Sequence, residues 1–295
     1  MSSPISNNSN RGDTWTPSEL ELQRRIIRKS QNKKRIFIAG LSSVLVIGAI
    51  VLALISSPGW QLFIKTYFDF NYGFEILPFV TEGLITNIQL TIICATSISV
   101  LAMLLALART SKSAALTPFR IIATIYVDVF RGIPLLLVIL IVGFGVPALG
   151  IKGVTNNVLV LGGLAVILTY SAYVAEVFRS GILSIHPSQR AAARSIGLTQ
   201  GQAMRFVILP QALRRVVPPL LNDLVALIKD TGLVSILGVT DAIRAAQIQT
   251  SKTFNYTPYI MAAILFLLIT IPLTRLTDRS LKKSMEQQHG QVNYE

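Results

Sequence analysis

Long uncharged apolar runs alternate with short basic segments along this chain. Residues 36–55 and 83–108 carry no charge, and 121–149 has Asp128 and Arg131 only near its start. Residues 153–175 and 253–274 are uncharged again, while 216–240 is apolar apart from Asp223, Lys229 and Asp230. A helix crosses a bilayer with about 20 mostly apolar residues. Each run meets that length, and none alternates over about 10 residues as barrel strands do. Backbone groups in lipid are satisfied only within helices or closed barrels. The pattern therefore predicts an all-α integral membrane protein with six transmembrane helices.

The distribution of charge orients it. The chain has 295 residues, with 27 Lys+Arg against 14 Asp+Glu and a net charge of +13, yet only 14% of its residues are charged. A soluble domain carries roughly 25%, so a solvated globular surface is excluded. So is nucleic-acid binding, which needs a dense basic face on a soluble module. With six spans and the N-terminus inside, 21 of the 27 Lys/Arg residues fall in the segments 1–35, 109–120, 179–215 and 275–295. The opposite loops hold four: Lys65, Lys152, Arg244 and Lys252. The positive-inside rule then places both termini in the cytoplasm. The first apolar run is too long and too far from the N-terminus for a cleaved signal peptide. Residues 1–17, rich in Ser, Asn and Pro, read as a disordered tail. Ser18 and Glu21 have capping-box spacing ahead of Leu22, Ile26 and Ile27. That segment is either a basic topology stop or a short helix on the anionic inner leaflet.

The 37-residue stretch from Arg179 to Arg215 is longer than a connector in a tight bundle requires. Within it, 188–210 reads as two short helices hinged at Gly197. Ser188 is the expected cap of the first, Gly197 its left-handed stop, Thr199 the cap of the second and Pro210 its end. Ala191-Ala192-Ala193-Arg194-Ser195-Ile196-Gly197, followed by Ile208-Leu209-Pro210-Gln211-Ala212-Leu213-Arg214, resembles the cytoplasmic loop of ATP-binding-cassette importer permeases. Tyr126–Leu135, Ala172–Ile182 and Lys229–Leu233 extend the resemblance to the polar amino acid branch, over roughly residues 81–283. The family's Glu is Ala191 here, which on a Ser188 cap removes a capping-box partner worth on the order of 1 kcal/mol or less.

The resemblance implies a five-helix type I importer permease core in 81–283. To it are added a basic tail (1–35), an extra helix (36–55), an extracytoplasmic loop (56–80) and a C-terminal tail (284–295). It implies a bacterial cytoplasmic-membrane location and a second permease subunit, either another copy or a paralogue. It implies a cytoplasmic ATPase pair that holds ATP and Mg, an extracytoplasmic binding protein and an amino acid substrate. The coupling loop would use Ala191, Ala192, Arg194, Gly197, Phe206, Leu209 and Pro210. This chain itself has no Gly-x-x-x-x-Gly-Lys-Ser/Thr, so it binds no nucleotide through that motif.

Ionisable groups inside a span are costly and face cavities or partners. Asp223 and Asp230, seven apart, share one helix face, with Asn222 and Lys229 on the adjacent stripe. Thr169, Tyr173 and Glu176 share another. They line a substrate path, or Lys229 neutralises a carboxylate and Glu176 meets Arg179. Arg131-Gly132-Ile133-Pro134 reads as a helix start with Arg131 reaching the headgroups, and Pro218-Pro219 as the start of the fifth span. His186 and His289 are the only histidines and Cys94 the only cysteine, so no metal site or catalytic group is expected. An ion-coupled secondary transporter or channel is the alternative, which the loop at 188–210 argues against.

Overall fold

The computed structural model describes residues 18–111 and 113–292, and the tail 1–17 lies outside them. The described residues are almost wholly helical, in two units, 1–63 and 64–295. The first is dominated by α1 (Glu19–Ile55). Ser18 caps it, its side chain accepting from the Glu21 N–H as the spacing predicts. Basic segment and apolar run form one continuous helix, so a separate surface helix is not present. Ile38, Leu41, Leu45 and Leu52 leave the helix apolar all round and at least half exposed, the signature of a span facing lipid.

After α2 (Trp60–Tyr67), the second unit is built on α3 (Phe70–Thr110) and α6 (Val158–Leu183). Residues 56–80 are thus largely helix, and α3 extends the expected 83–108 run at both ends. The buried side of α3 recurs at helical spacing through Val80, Gly83, Asn87, Leu90, Cys94, Ile98, Ala102 and Ala106. Ile85, Ile92, Ile93, Val100 and Leu104 point outward. Small residues inside and large aliphatics outside suit helices that meet in lipid, where close approach rather than apolar transfer drives packing. α6 shows the same sorting, with Gly162, Gly163, Ala165, Ala172 and Ala175 inward, and it packs on α3, on α4 (Thr117–Gly132) and on α5 (Leu135–Ala148).

The third expected span is broken. α4 and α5 meet at 105° across Ile133-Pro134. Pro134 lacks an N–H and pushes Ile133 out of the helical region, to φ −99°, ψ 130°. Arg131 therefore ends α4 rather than starting a helix.

The segment expected to be the coupling loop folds as α7 (Pro187–Ser195) and the single turn α8 (Gln200–Ala203). A π-helical segment, Met204–Ile208, carries α8 directly into α9 (Leu209–Asp230). Pro210 thus lies in the first turn of a helix, not at an end, and Pro218 and Pro219 are inside α9. The run 216–240 is not one helix either. α9 stops at Asp230, a 3-10 segment (Thr231–Leu237) follows, and Gly238 turns at φ +92° into α10 (Ala242–Thr253). α11 (Thr257–Val292) closes the unit against α3, α9 and α10.

A buried polar knot ties this 3-10 segment and the start of α10 to α3. The Asn87 amide donates to Asp241 Oδ2 (3.1 Å) and Thr231 Oγ1 (3.3 Å), and Asn87 Oδ1 accepts from the Ala242 N–H (3.0 Å). Asp241 Oδ1 caps α10 through the Arg244 N–H (2.8 Å). The approach is possible because residue 83 is glycine: a Cβ there would fall 2.5 Å from the Asp241 carbonyl.

Among the described residues, four helices are long and apolar enough to cross a membrane, and the α4–α5 pair would make a fifth.

Candidate functional site

Polar groups from α6 and α9 meet at a cavity of about 280 Å³ between α3, α6 and α9. Its lining is mostly Ala95, Ile98, Val174, Val217, Leu220 and Leu224, with Asp223 and Tyr170 the principal polar groups. The Tyr170 hydroxyl donates to Asp230 Oδ2 at 2.7 Å. One buried oxygen of Asp223 has no hydrogen-bond partner among the described residues. A carboxylate oxygen left buried and unpaired is costly.

The remaining candidates do not converge on this cavity. Asn222 and Lys229 are exposed on the neighbouring stripe of α9, and Lys229 makes no ion pair among the described residues. Thr169 is buried, its hydroxyl unpaired, but it does not line the cavity. Tyr173 turns away, its hydroxyl donating to the Arg131 carbonyl (3.2 Å) with the Arg131 guanidinium 5.9 Å over its ring. Glu176 meets Arg179, as the i, i+3 spacing predicts, and also accepts from Arg109 at 2.7 Å. Tyr170 was invisible to sequence reasoning. Its neighbours Thr169 and Tyr173 flag the same stretch of helix, but only the rotation of α6 decides which hydroxyl faces α9.

The second cluster is the projecting loop. His186, not Ser188, caps α7, its Nδ1 accepting from the Ser188 N–H (3.3 Å) with Pro187 in the first turn. Ala191 consequently sits in the second turn, where no capping-box partner is possible, and the cost expected for losing the family's Glu does not arise. Gly197 has φ +85°. Its N–H donates to the Arg194 carbonyl (2.9 Å) and that of Leu198 to the Ala193 carbonyl (3.2 Å), a complete Schellman closure. Thr199 and Gln202 then form a reciprocal capping box on α8. The inner side of the loop is anchored by Ala193, Ala203 and Ile208, all at most 5% exposed. Its outer side presents Ala191, Ala192, Arg194, Pro210 and the apolar Ile196 and Phe206, the last two 77% and 62% exposed, while Leu209 is half-buried. The sequence did not single out Ile196, because its exposure depends on how the loop folds and not on its own residue type.

Residues 98–284 match the family model described as binding-protein-dependent transport system inner membrane component. That span holds the loop, all of the cavity lining but Ala95, and α4 to α11 up to the start of the C-terminal tail. The chain belongs to this family. As a permease of the family it is a membrane-embedded transport component rather than an enzyme. It is 33% identical over 220 residues to the arginine transport system permease ArtQ of Bacillus subtilis, covering 73% of this chain and 98% of that protein. A putative glutamine transport system permease of Rickettsia conorii is 34% identical over 218 residues, covering 72% and 98%. Among solved structures, an amino acid ABC transporter with histidines superposes with TM-score 0.66 at 32% identity, covering 73% of this chain and 98% of the other. The methionine ABC transporter MetNI, in an inward-facing form, shares the fold at TM-score 0.56 and 19% identity. The residues matched by the family model all lie in the second unit, and α1 lies outside them.

Proposed function

We propose that this permease forms the membrane pathway for ATP-driven import of an amino acid handed over by an extracytoplasmic binding protein. The observation that carries the coupling half of the reading is the projecting loop. It is closed by its own hydrogen bonds, anchored on its inner side, and tipped by two large, mostly exposed apolar side chains, Ile196 and Phe206, the second with the Arg205 guanidinium over its ring. Exposed hydrophobics rimmed by polar residues mark a docking surface. A pair of cytoplasmic ATPase subunits, carrying ATP and Mg, is the partner that fits it, since this chain has no nucleotide-binding motif of its own. The permease pairs with a second permease subunit, and both termini face the cytoplasm, with six crossings counting α9 and its 3-10 extension as one. The 81–283 segment acts as the transport core, and α1 is an addition to it.

The cavity bearing Asp223 and Tyr170, with Asp230 behind Tyr170, supplies the amino acid contact. The Asp223 carboxylate in its lining matches the substrate's α-ammonium, and its apolar wall accommodates the carbon skeleton. The resemblance of the relatives named above supports an amino acid as the cargo. The test is reconstitution in vesicles of the permease with the ATPase and binding protein that co-purify with it, followed by uptake of radiolabelled amino acids with and without ATP. ATP-dependent accumulation of one amino acid is expected. Accumulation driven by an ion gradient without ATP would refute the reading.

A further inference from the structure

Three arginines from three helices converge where α3 and α6 end and α4 begins, and neither the substrate cavity nor the coupling loop uses the space between them. Arg109, Arg120 and Arg179 line a cavity of about 310 Å³ with Ile121, Thr124 and Ile125. We propose that this cavity binds the phosphate headgroup of an anionic phospholipid in the cytoplasmic leaflet. The inference rests on the orientation given above, in which 109–120 is inside.

The guanidinium groups are held in place with donors to spare. Glu176 pins Arg109 at 2.7 Å and Arg179 by a paired contact, and their side chains are 14% and 32% exposed. Arg120 is set by the Ser111 carbonyl (3.3 Å) and Thr117 Oγ1 (3.4 Å). Each guanidinium offers five N–H donors. The bonds present use one on Arg109, two on Arg120 and two on Arg179. The Glu176 carboxylate pairs with Arg109 and Arg179, while Arg120 makes no ion pair among the described residues, and Asp128 lies two turns farther along α4 outside the lining. Planar forks of this kind match phosphate oxygens in pairs.

What selects a lipid over a soluble anion is the wall beneath. Ile125 lines the cavity, and with Phe119, Ile122 and Val129 it runs down α4 at 47–65% exposure. An acyl chain hanging from a phosphate at the arginines would lie along that apolar stripe. The inner leaflet is the anionic one, and each surface Lys/Arg contributes to attraction there.

Native mass spectrometry of the purified permease–ATPase complex, supplied with phosphatidylglycerol or phosphatidylcholine, reads the site directly. A net excess of two charges corresponds to a preference of about thirtyfold for phosphatidylglycerol. Arg120→Gln should lower that preference about fivefold, Arg120→Lys should retain most of it, and Arg214→Gln, a basic exposed position outside the cavity, should leave it at the wild-type value. If Arg120→Gln fails to assemble, the wild-type preference and the Arg120→Lys result still decide. Equal retention of the two lipids, or an Arg120→Gln variant with the wild-type preference, overturns the proposal. Displacement of the lipid by millimolar inorganic phosphate would make this a free-anion site and overturns it too. So would loss of phosphatidylglycerol on ATPase binding, which would assign the arginines to that protein interface. None of these outcomes touches the transport reading, which stands or falls on uptake.

Discussion

Substitutions at Gly197 separate two reasons for a glycine at the tip of the projecting loop: the backbone conformation, and the room left for a partner. Its φ of +85° falls in the left-handed region, which costs an ordinary L-residue roughly 1–2 kcal/mol. A Cβ built there meets nothing within 4 Å, so inside the permease only strain counts, not a clash. Asn tolerates this region and should cost a few tenths of a kcal/mol, Ala about 1 and β-branched Val about 2 or more. If the strain is relieved by opening the Schellman closure, docking of the ATPase weakens by up to about fivefold for Gly197→Ala and about thirtyfold for Gly197→Val. Conformation alone therefore ranks the variants Asn, Ala, Val in falling order of ATPase retention. A docking groove that also excludes side chains reverses the first two, because Asn is bulkier than Ala. The assay is quantitative pull-down of the ATPase from solubilised membranes, alongside uptake in vesicles and a measure of permease level. The apolar surface of the membrane helices is untouched, so levels should stay normal. Full ATPase retention with full uptake in Gly197→Val would remove the loop from the coupling mechanism and refute the reasoning.

Asn87→Ala should leave the Ala242 N–H and Asp241 Oδ2 unpaired in the core, at a cost of about 2–4 kcal/mol. A thermal midpoint in detergent lowered by roughly 5 °C or more is expected, and a shift under about 1 °C would show that the knot carries little. Asp230→Asn and Tyr170→Phe both break the 2.7 Å hydrogen bond or its charge while keeping shape, and each should lower uptake with the ATPase still bound. Unchanged kinetics in both would return the pair to a structural role. Cys94 is fully buried and should stay silent to an impermeant thiol reagent. Cysteines placed at Lys65 or Lys152 should then label from outside intact cells and one at Arg194 should not, whereas external labelling at Arg194 would invert the topology.

Much of this protein follows from local terms that a sequence displays directly. Its helical, membrane-bound character comes from uncharged runs of spanning length, because backbone groups in lipid have no partner but their own helix. The left-handed Gly197 and the Thr199 cap were legible for the same reason: their hydrogen bonds close within four or five residues. Prolines were harder to read. Pro134 breaks a span, yet Pro210, Pro218 and Pro219 lie within a continuous helix, since the freed carbonyls can be met by neighbouring groups or by the π-helical segment before α9. Only the tertiary structure decided which polar groups meet. Tyr170 reaches Asp230 across 60 residues, Arg109 reaches Glu176 across 67, and Asn87 reaches Asp241 across 154. Such pairings depend on the rotation of each helix about its axis and on its depth in the bundle. Both are set by how small residues such as Gly83 let backbones approach, and a linear pattern of apolar positions does not encode them.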